Sequence, residues 1–421
     1  MISPTPQNKQ DGPRAASSAG VDYKAIALLS AAHLSDDVNQ GVVPAMLPFF
    51  IAANHLTYAA AAGLVLAQTL SASVAQPAFG MLADRRPSPW LIPAGLMLAG
   101  VGVAISGLAP SYALIFAAIA LSGLGISAFH PEAARRVRYL SGSRQATTMS
   151  LFTVGGMVGF ALGPLFITPT LIAFGTRGAL VLAAPVIAMG AAVTWQLPRI
   201  TTVHESNRHN ARALAEAPER WSDFVRLTAV VISRSITFFG LNTFVPLYWI
   251  HVLHGSQSGA GLALTTMLFA VAVGTLIGGR LADSYGRRIV IVVSLAVVVP
   301  LIMLFLSLNN LIAAGAMLIP VGIVLAASNS VVVVMAQEYL PNRVGLAAGV
   351  TLGLSMTIGG LLMPLFGTIA DHYGLARALF VLGLLPAIGF VLSLGLTEST
   401  GSIDEISATV ATKSTRSMLR R

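Results

Sequence analysis

Twelve long apolar runs divide the chain, and short polar or glycine-containing stretches separate them. The hydrocarbon core of a bilayer takes about 20 consecutive apolar residues of helix, so each run predicts one spanning helix. The runs lie near 24–51, 57–83, 89–108, 111–134, 145–170 and 176–197, then 224–251, 258–282, 288–307, 310–337, 343–371 and 376–396. Residues 198–223 between the sixth and seventh runs are polar and carry His204, Glu205, Arg208, His209, Arg212, Glu216, Glu219 and Arg220. They predict a linker between a bundle at 24–197 and a second bundle at 224–396. Residues 1–23 are polar and lack the basic-then-apolar plan of a cleaved signal, so they predict a disordered tail. A second polar, basic tail follows at 397–421. The expected class is an all-α integral membrane protein of two six-helix halves.

Composition strengthens this reading. The chain has 421 residues, of which 55% are hydrophobic and only 10% charged, where a soluble chain averages about 25% charged residues. Its net charge of +9 does not point to nucleic acid, because the basic residues are spread over short loops instead of one patch. Of 25 lysines and arginines, 22 fall on one side, in the tails, the linker and alternate loops. Arg177 and Arg377 fall opposite and Arg234 lies within a span. This asymmetry predicts cytoplasmic termini and a multi-pass protein of a bacterial-type inner membrane. There is no cysteine, hence no disulfide and no thiolate chemistry.

The two halves echo one another. GGRLADSYGRR runs from Gly278 to Arg288, and a shorter copy, GMLADRR, runs from Gly80 to Arg86. Pro164 and Pro364, Gly175 and Gly374, and Arg177 and Arg377 repeat at 199 or 200 positions. Glycine permits a tight turn, arginines keep a short loop cytoplasmic, and an aspartate can accept charged hydrogen bonds from them. The duplicated stretch resembles the loop between the second and third helices of the major facilitator superfamily and its repeat between the eighth and ninth. That resemblance implies parallel six-helix repeats with a substrate site between them near the midplane. It also implies a gating role for Gly80, Asp84, Arg85, Gly279, Asp283, Gly286, Arg287 and Arg288. In the first copy Arg86 runs into Pro87, Ser88 and Pro89 instead of Gly-Arg-Arg.

Polar groups inside spans are costly and are functional candidates by default. His33, Asp36 or Asp37, and Gln40 recur at spacings of three and four in SAAHLSDDVNQG, making one polar stripe on the first helix. Desolvation disfavours the charged form of a carboxylate, so a buried aspartate can take up and release a proton. The plainer reading of the pair is a lock between the halves. Arg234 occupies the matching place in the seventh span and needs a carboxylate or an anionic substrate. Asp36 or Asp37 is the expected protein partner. In SAFHPEAARRVR, Glu132 stands three and four residues before Arg135 and Arg136. This is either an ion pair at helical spacing or, with His130, part of a proton relay. Glu338, matching it in the second half, predicts a gate salt bridge. Asn242, Phe129 and Phe238 are candidates for lining the substrate site, with core packing the alternative for the aromatics.

Gly155, Gly159 and Gly163 recur every fourth residue before Pro164 in TVGGMVGFALGPL, a spacing that lets another helix approach closely. The run also resembles the fifth-helix motif of proton-coupled drug exporters. HLSDDVNQ, SAFHPEAARRVR and LFTVGGMVGFALGPL together resemble the fosmidomycin-resistance family within the superfamily. The resemblance implies proton-coupled efflux of a small phosphonate and a functional role for His130 and Glu132. A compact anion also suits Arg234 with His33 or His130. The alternatives are an importer of a sugar or carboxylate on the same fold, and a membrane enzyme. No metal-ligand spacing, nucleophile elbow or GxxxxGK[ST] loop is present. No metal or cofactor is expected beyond the proton gradient; the expected partners are substrate, protons and lipid, with the chain acting as a monomer.

Overall fold

The computed structural model describes residues 21–398 except 86–87, 142–143, 202–218, 344–345 and 348. Most of the sequence-predicted tails, most of the linker and the Arg86–Pro87 junction therefore lie outside the described residues. The described chain is helical throughout, in the order α1 (Tyr23–Asn54), α2 (Tyr58–Arg85), α3 (Leu91–Ser106), α4 (Tyr112–Leu140), α5 (Gln145–Phe174) and α6 (Ala183–Thr201). The second set is α7 (Trp221–His251), α8 (Gln257–Tyr285), α9 (Arg287–Ser307), α10 (Leu311–Ala326) and α11 (Asn329–Tyr339), then α12 (Ser355–Leu361), α13 (Met363–Tyr373) and α14 (Leu375–Ser393).

Twelve spans account for these helices. The tenth is broken after Ala326 into α10 and α11, and the eleventh opens with a π-helical turn at Gly349–Leu354 before α12 and α13. The sixth begins with the 3-10 segment Gly175–Leu182. Gly175 turns the chain there at φ +61°, which a side chain would resist. The fourth span outruns its predicted end: α4 passes Pro131 and continues to Leu140. Nine helical stretches among the described residues are long and apolar enough to cross a membrane, and the stretch 147–201 contains two spans. α1 falls short on hydropathy because it carries the polar stripe, and α3 because it has 16 residues.

Side-chain caps fix several helix starts. Asp22 accepts from the Ala25 amide, Ser256 from Gly259, and Asn310 from Ile312 and Ala313. Each satisfies a donor that a first helical turn leaves without a partner. Large apolar side chains such as Phe166, Trp195, Ile312 and Val391 are exposed around the rim. Lipid is the medium that such a surface fits.

In the first half α1 packs on α5, α2 and α3 on α4, and α3 on α6; in the second, α7 and α9 pack on α14, and α8 on α10. The halves meet where α5 lies on α8, α2 on α12 and α13, and α1 on α7. Asp371 of α13 stands at the start of α2 and accepts from the Tyr58 and Ala59 amides at 2.7 and 3.0 Å. Thr357 of the second half donates to Ser73 Oγ at 2.8 Å. A Cβ added at Gly367 would fall 2.6 Å from Ala59 Cα, so the two backbones run in contact beside Asp371. The Asp371 and Gly367 contacts join the halves at the end remote from the described termini, and the Thr357–Ser73 bond joins them midway along α2.

Candidate functional site

α1, α4 and α5 bring the first-half candidates together, and glycines make this possible. Gly155 sits where an added Cβ would be 2.5 Å from the Ser30 carbonyl oxygen, and one at Gly163 would be 2.8 Å from the Gly41 carbonyl carbon. Gly159 likewise abuts the Leu34 backbone. The close-packing reading of these residues is therefore what the geometry displays. It draws α5 so near that the Phe152 carbonyl reaches the ring of His33.

His33 Nδ1 lies 2.7 Å from the Phe152 carbonyl oxygen, and His130 Nδ1 lies 2.9 Å from that of Ile126. A carbonyl only accepts, so each Nδ1 carries a proton and donates it. Both Nε2 atoms are thereby turned inward, 3.2 Å from one another. Each also lies 3.3 Å from the Asp37 carboxylate, His33 toward Oδ2 and His130 toward Oδ1. Two imidazole lone pairs and a carboxylate converge stably only around positive charge, which one added proton supplies. Asp36 is fully buried behind the His130 ring, with Oδ2 3.5 Å from Nδ1 and neither oxygen hydrogen-bonded.

Aromatic rings hold the imidazoles in place. Phe152 stacks on His33 with centroids 4.1 Å apart, and Phe129 lies 6.0 Å from His33 and 5.6 Å from His130. Phe129 is fully buried, so it packs the site and does not line a cavity. Gly156 completes the wall: a Cβ there would sit 2.5 Å from both His33 Nε2 and Asp37 Oδ2. Gln40, expected on the same stripe, is half-buried and outside the His–Asp cluster. Glu132 is also outside it. Buried on α4, it accepts from Arg136 Nε at 2.8 Å and from Arg135 Nε at 3.0 Å. The helical ion pair is thus the reading of Glu132 that its contacts match.

The expected pairing of Arg234 with Asp36 or Asp37 is not made. The aspartates face histidines of their own half, while Arg234 donates through Nη1 to Asn329 Oδ1. Asn329 in turn donates to Thr275 Oγ1 at 3.2 Å. Arg234 Nε has no hydrogen-bond partner, and no carboxylate among the described residues lies within ion-pair distance of the guanidinium. Depth follows the repeat: Asp36 is the fourteenth residue of α1 and Arg234 the fourteenth of α7. Asn242, also on α7, is buried with Oδ1 unpartnered. Phe238 is half-buried, its ring 6.3 Å from Phe160 of α5 across the seam.

The second-half loop is built on Gly286, whose φ of +92° lets α8 pass directly into α9. Arg287 pairs with Glu338 of α11. The Arg288 amide donates to Glu398 at 2.9 Å, and its guanidinium to the Leu394 carbonyl at 2.6 Å. Glu338 therefore makes its salt bridge inside the second half, tying the loop to α11. Asp283 is exposed. The first copy repeats the packing: Gly80 stands against Pro131 as Gly279 stands against Ser330, the second contact 199 positions after the first. The side chains of Asp84 and Arg85 lie outside the described residues.

Sequence reasoning missed Phe152, Gly156 and Asn329. Asn329 was open to the same argument as Arg234, being polar within a span. Phe152 acts through its backbone carbonyl, which no side-chain pattern signals. Outside the membrane, Asp22 accepts both Arg199 Nε and Nη2, at 2.8 and 2.9 Å, which holds its carboxyl below the usual carboxylate range.

Comparison with known proteins agrees with this architecture. The family model described as Major Facilitator Superfamily matches residues 29–362 and 227–417. The fosmidomycin resistance protein of Escherichia coli K12 is 30% identical over 399 residues, 93% of this chain and 97% of that protein. An uncharacterized MFS-type transporter of Bacillus subtilis, YfnC, is 29% identical over 379 residues, 88% of this chain and 92% of that protein. Among solved structures, a bacterial homolog of the human lysosomal transporter Spinster, in an inward-facing and occupied conformation, superposes with a TM-score of 0.74. Its identity is 15%, over 88% of this chain and 96% of that one. The nucleoside transporter NupG superposes at 0.71 with 11% identity, over 89% of this chain and all of that one. A twelve-span, twofold-repeated bundle matched over nearly its whole length places this chain in the Major Facilitator Superfamily, as a multi-pass membrane transporter and not an enzyme.

Proposed function

We propose that the chain is a proton-coupled exporter of a small anion, with the phosphonate antibiotic fosmidomycin as the first substrate to try. The observation that carries this is the pairing of depths across the halves. A half-buried guanidinium without a carboxylate stands on α7 at the level where α1 holds two aspartates and a facing histidine pair. Both sites lie about 20 Å along their helices, near the middle of a bilayer.

Arg234, steadied by Asn329, supplies a fork of donors for the phosphonate. Phe238 and Asn242 follow it about one and two turns further along α7. His33, His130 and Asp37 hold the proton in the other half, and Asp36 keeps that proton attractive from behind His130. The halves joined by the 198–223 linker rock against one another in an inner membrane, with both termini cytoplasmic. Protons enter as the anion leaves, so the pH gradient and the potential both drive export. Each elementary charge moved contributes about 2.3 kcal/mol per 100 mV. The likeness to the fosmidomycin resistance protein supports this substrate.

The test is fosmidomycin uptake into inside-out vesicles containing the protein, with and without an imposed pH gradient. Accumulation that needs the gradient and is absent from empty-vector vesicles is the expected result. No accumulation, with the protein shown to be inserted, overturns this substrate. Accumulation indifferent to the gradient overturns the coupling.

A further inference from the structure

The atoms that hold the proton site together also have the spacing of a metal centre. We propose that His33, Asp37 and His130 form a binding site for a transition-metal dication of the Zn2+ class. Three observations carry it. First, the separations are 3.2 Å between the two Nε2 atoms and 3.3 Å from each Nε2 to the carboxylate. The two 3.3 Å separations go to different carboxylate oxygens; with one oxygen taken, the three ligand atoms lie within 4.8 Å of one another. Ligand atoms about 2.05 Å from a tetrahedral zinc stand roughly 3.3 Å apart, so a turn of the carboxylate brings the three toward one face of such a tetrahedron. Second, each imidazole is anchored as a zinc ligand usually is. Nδ1–H is spent on a backbone carbonyl, Phe152 for His33 and Ile126 for His130, which fixes the tautomer and aims the Nε2 lone pair inward. Third, Asp36 is fully buried with neither oxygen hydrogen-bonded. Its Oδ2 stands 3.5 Å from His130 Nδ1, behind a ligand ring, where an outer carboxylate steadies a zinc-bound imidazole.

Imidazole nitrogen and carboxylate oxygen together suit Zn2+, Co2+ or Ni2+ better than Mg2+ or Ca2+, which prefer an all-oxygen shell. His33 is closed in by Phe152 and Phe129, whereas the His130 side chain is 25% exposed. The ion therefore enters past His130, and the fourth position on that side is left to water or to an oxygen of a bound anion. The site does not depend on the direction or substrate of transport.

The experiment uses the full chain purified in detergent, stripped with chelator, in a His204→Gln/His209→Gln background that removes the linker histidines. ZnCl2 is titrated calorimetrically, and CoCl2 is followed by its visible absorption. One saturable site per chain is expected, with tetrahedral-type Co2+ bands that Zn2+ abolishes and MgCl2 does not. His33→Gln or His130→Gln should weaken it by at least tenfold to a hundredfold, on the scale of lost metal-site partners. X-ray absorption of the zinc-loaded background protein should show two imidazoles, a reading that needs no variant of the site. No saturable binding, or binding unchanged in both histidine variants, overturns the inference. Zinc binding without fosmidomycin uptake leaves it standing, while proton-driven uptake without zinc binding discards it and keeps the transport reading.

Discussion

Arg234 and Asp37 give the transport reading its sharpest consequences. A guanidinium that lacks a carboxylate in its own protein must find its anion elsewhere. Arg234→Gln should therefore raise the KM for fosmidomycin by about tenfold to a hundredfold, the loss of one charge-assisted hydrogen bond or a little more. Arg234→Lys, which keeps the charge and loses the fork, should fall between. Vesicle kinetics decide this, and an unchanged KM in both variants removes Arg234 from the substrate site. Asp37→Asn keeps the shape of the cluster but removes the charge that both histidines face at 3.3 Å. It should abolish gradient-driven accumulation while substrate counterflow persists; full coupling in this variant and in Asp36→Asn would remove the first helix from proton handling. The polar stripe His33–Asp36/Asp37 was legible in the sequence because polar residues inside a span announce themselves. The partners were not. Helical spacing places Asp37 on a face of α1, but whether α4 or α7 supplies the facing group depends on packing between helices, and the sequence matched the wrong pair.

α1 and α5 are the elements on which that packing turns. With Gly159 against the Leu34 backbone and Gly155 against the Ser30 carbonyl, the two helices touch along their length. A larger side chain can only be housed by separating them, and such overpacking costs about 1–3 kcal/mol. Gly159→Leu should lower the thermal midpoint in detergent, whereas Gly353→Ala, with nothing within 4 Å, should leave it unchanged. Equal midpoints would mean the helices yield without strain. The four-residue glycine period announced a close neighbour but did not name α1, and it gave no hint that Gly156, one residue out of phase, would border His33. The start of α1 offers a pH test. Asp22 is held low by Arg199, so its ion pair stabilises the fold above about pH 3.9 and is lost as pH falls through the carboxyl's depressed value. Asp22→Asn keeps an N-cap able to serve Ala25. The variant should melt below the parent at neutral pH and together with it in strong acid. A gap that persists in acid would assign the effect to the cap instead.

For the whole molecule the question is which end opens. Alternating access requires the halves to part at one end while they meet at the other. Here they meet at the end remote from the termini, where the Asp371 carboxylate sits on the first amides of α2 and α13 runs against the α2 backbone. A carboxylate at a helix N-terminus gains from both the free amides and the helix dipole, together about 1 kcal/mol or more. That is enough to shift a nearly balanced equilibrium between two conformations roughly fivefold. Asp371→Ala should therefore populate a form separated at this end. The chain has no cysteine, so an Ala53→Cys/Tyr373→Cys pair carries spin labels on exposed positions of α1 and α13 without background. In the parent, electron–electron distance measurements should give one short population. In Asp371→Ala a longer population should grow in, and in Asp371→Asn, which can still accept one amide, it should grow less. The twofold repeat was legible from the duplicated loop and the paired glycines, and with it the place of the seam. Asp371 was not, because its partners are backbone amides more than 300 residues away, and only the packing of α13 beside α2 makes an aspartate in the last turn of α13 into a latch. An unchanged distance distribution in both variants would leave that latch as a cap on α2 and put the balance of the two conformations in the apolar contacts of α5 with α8.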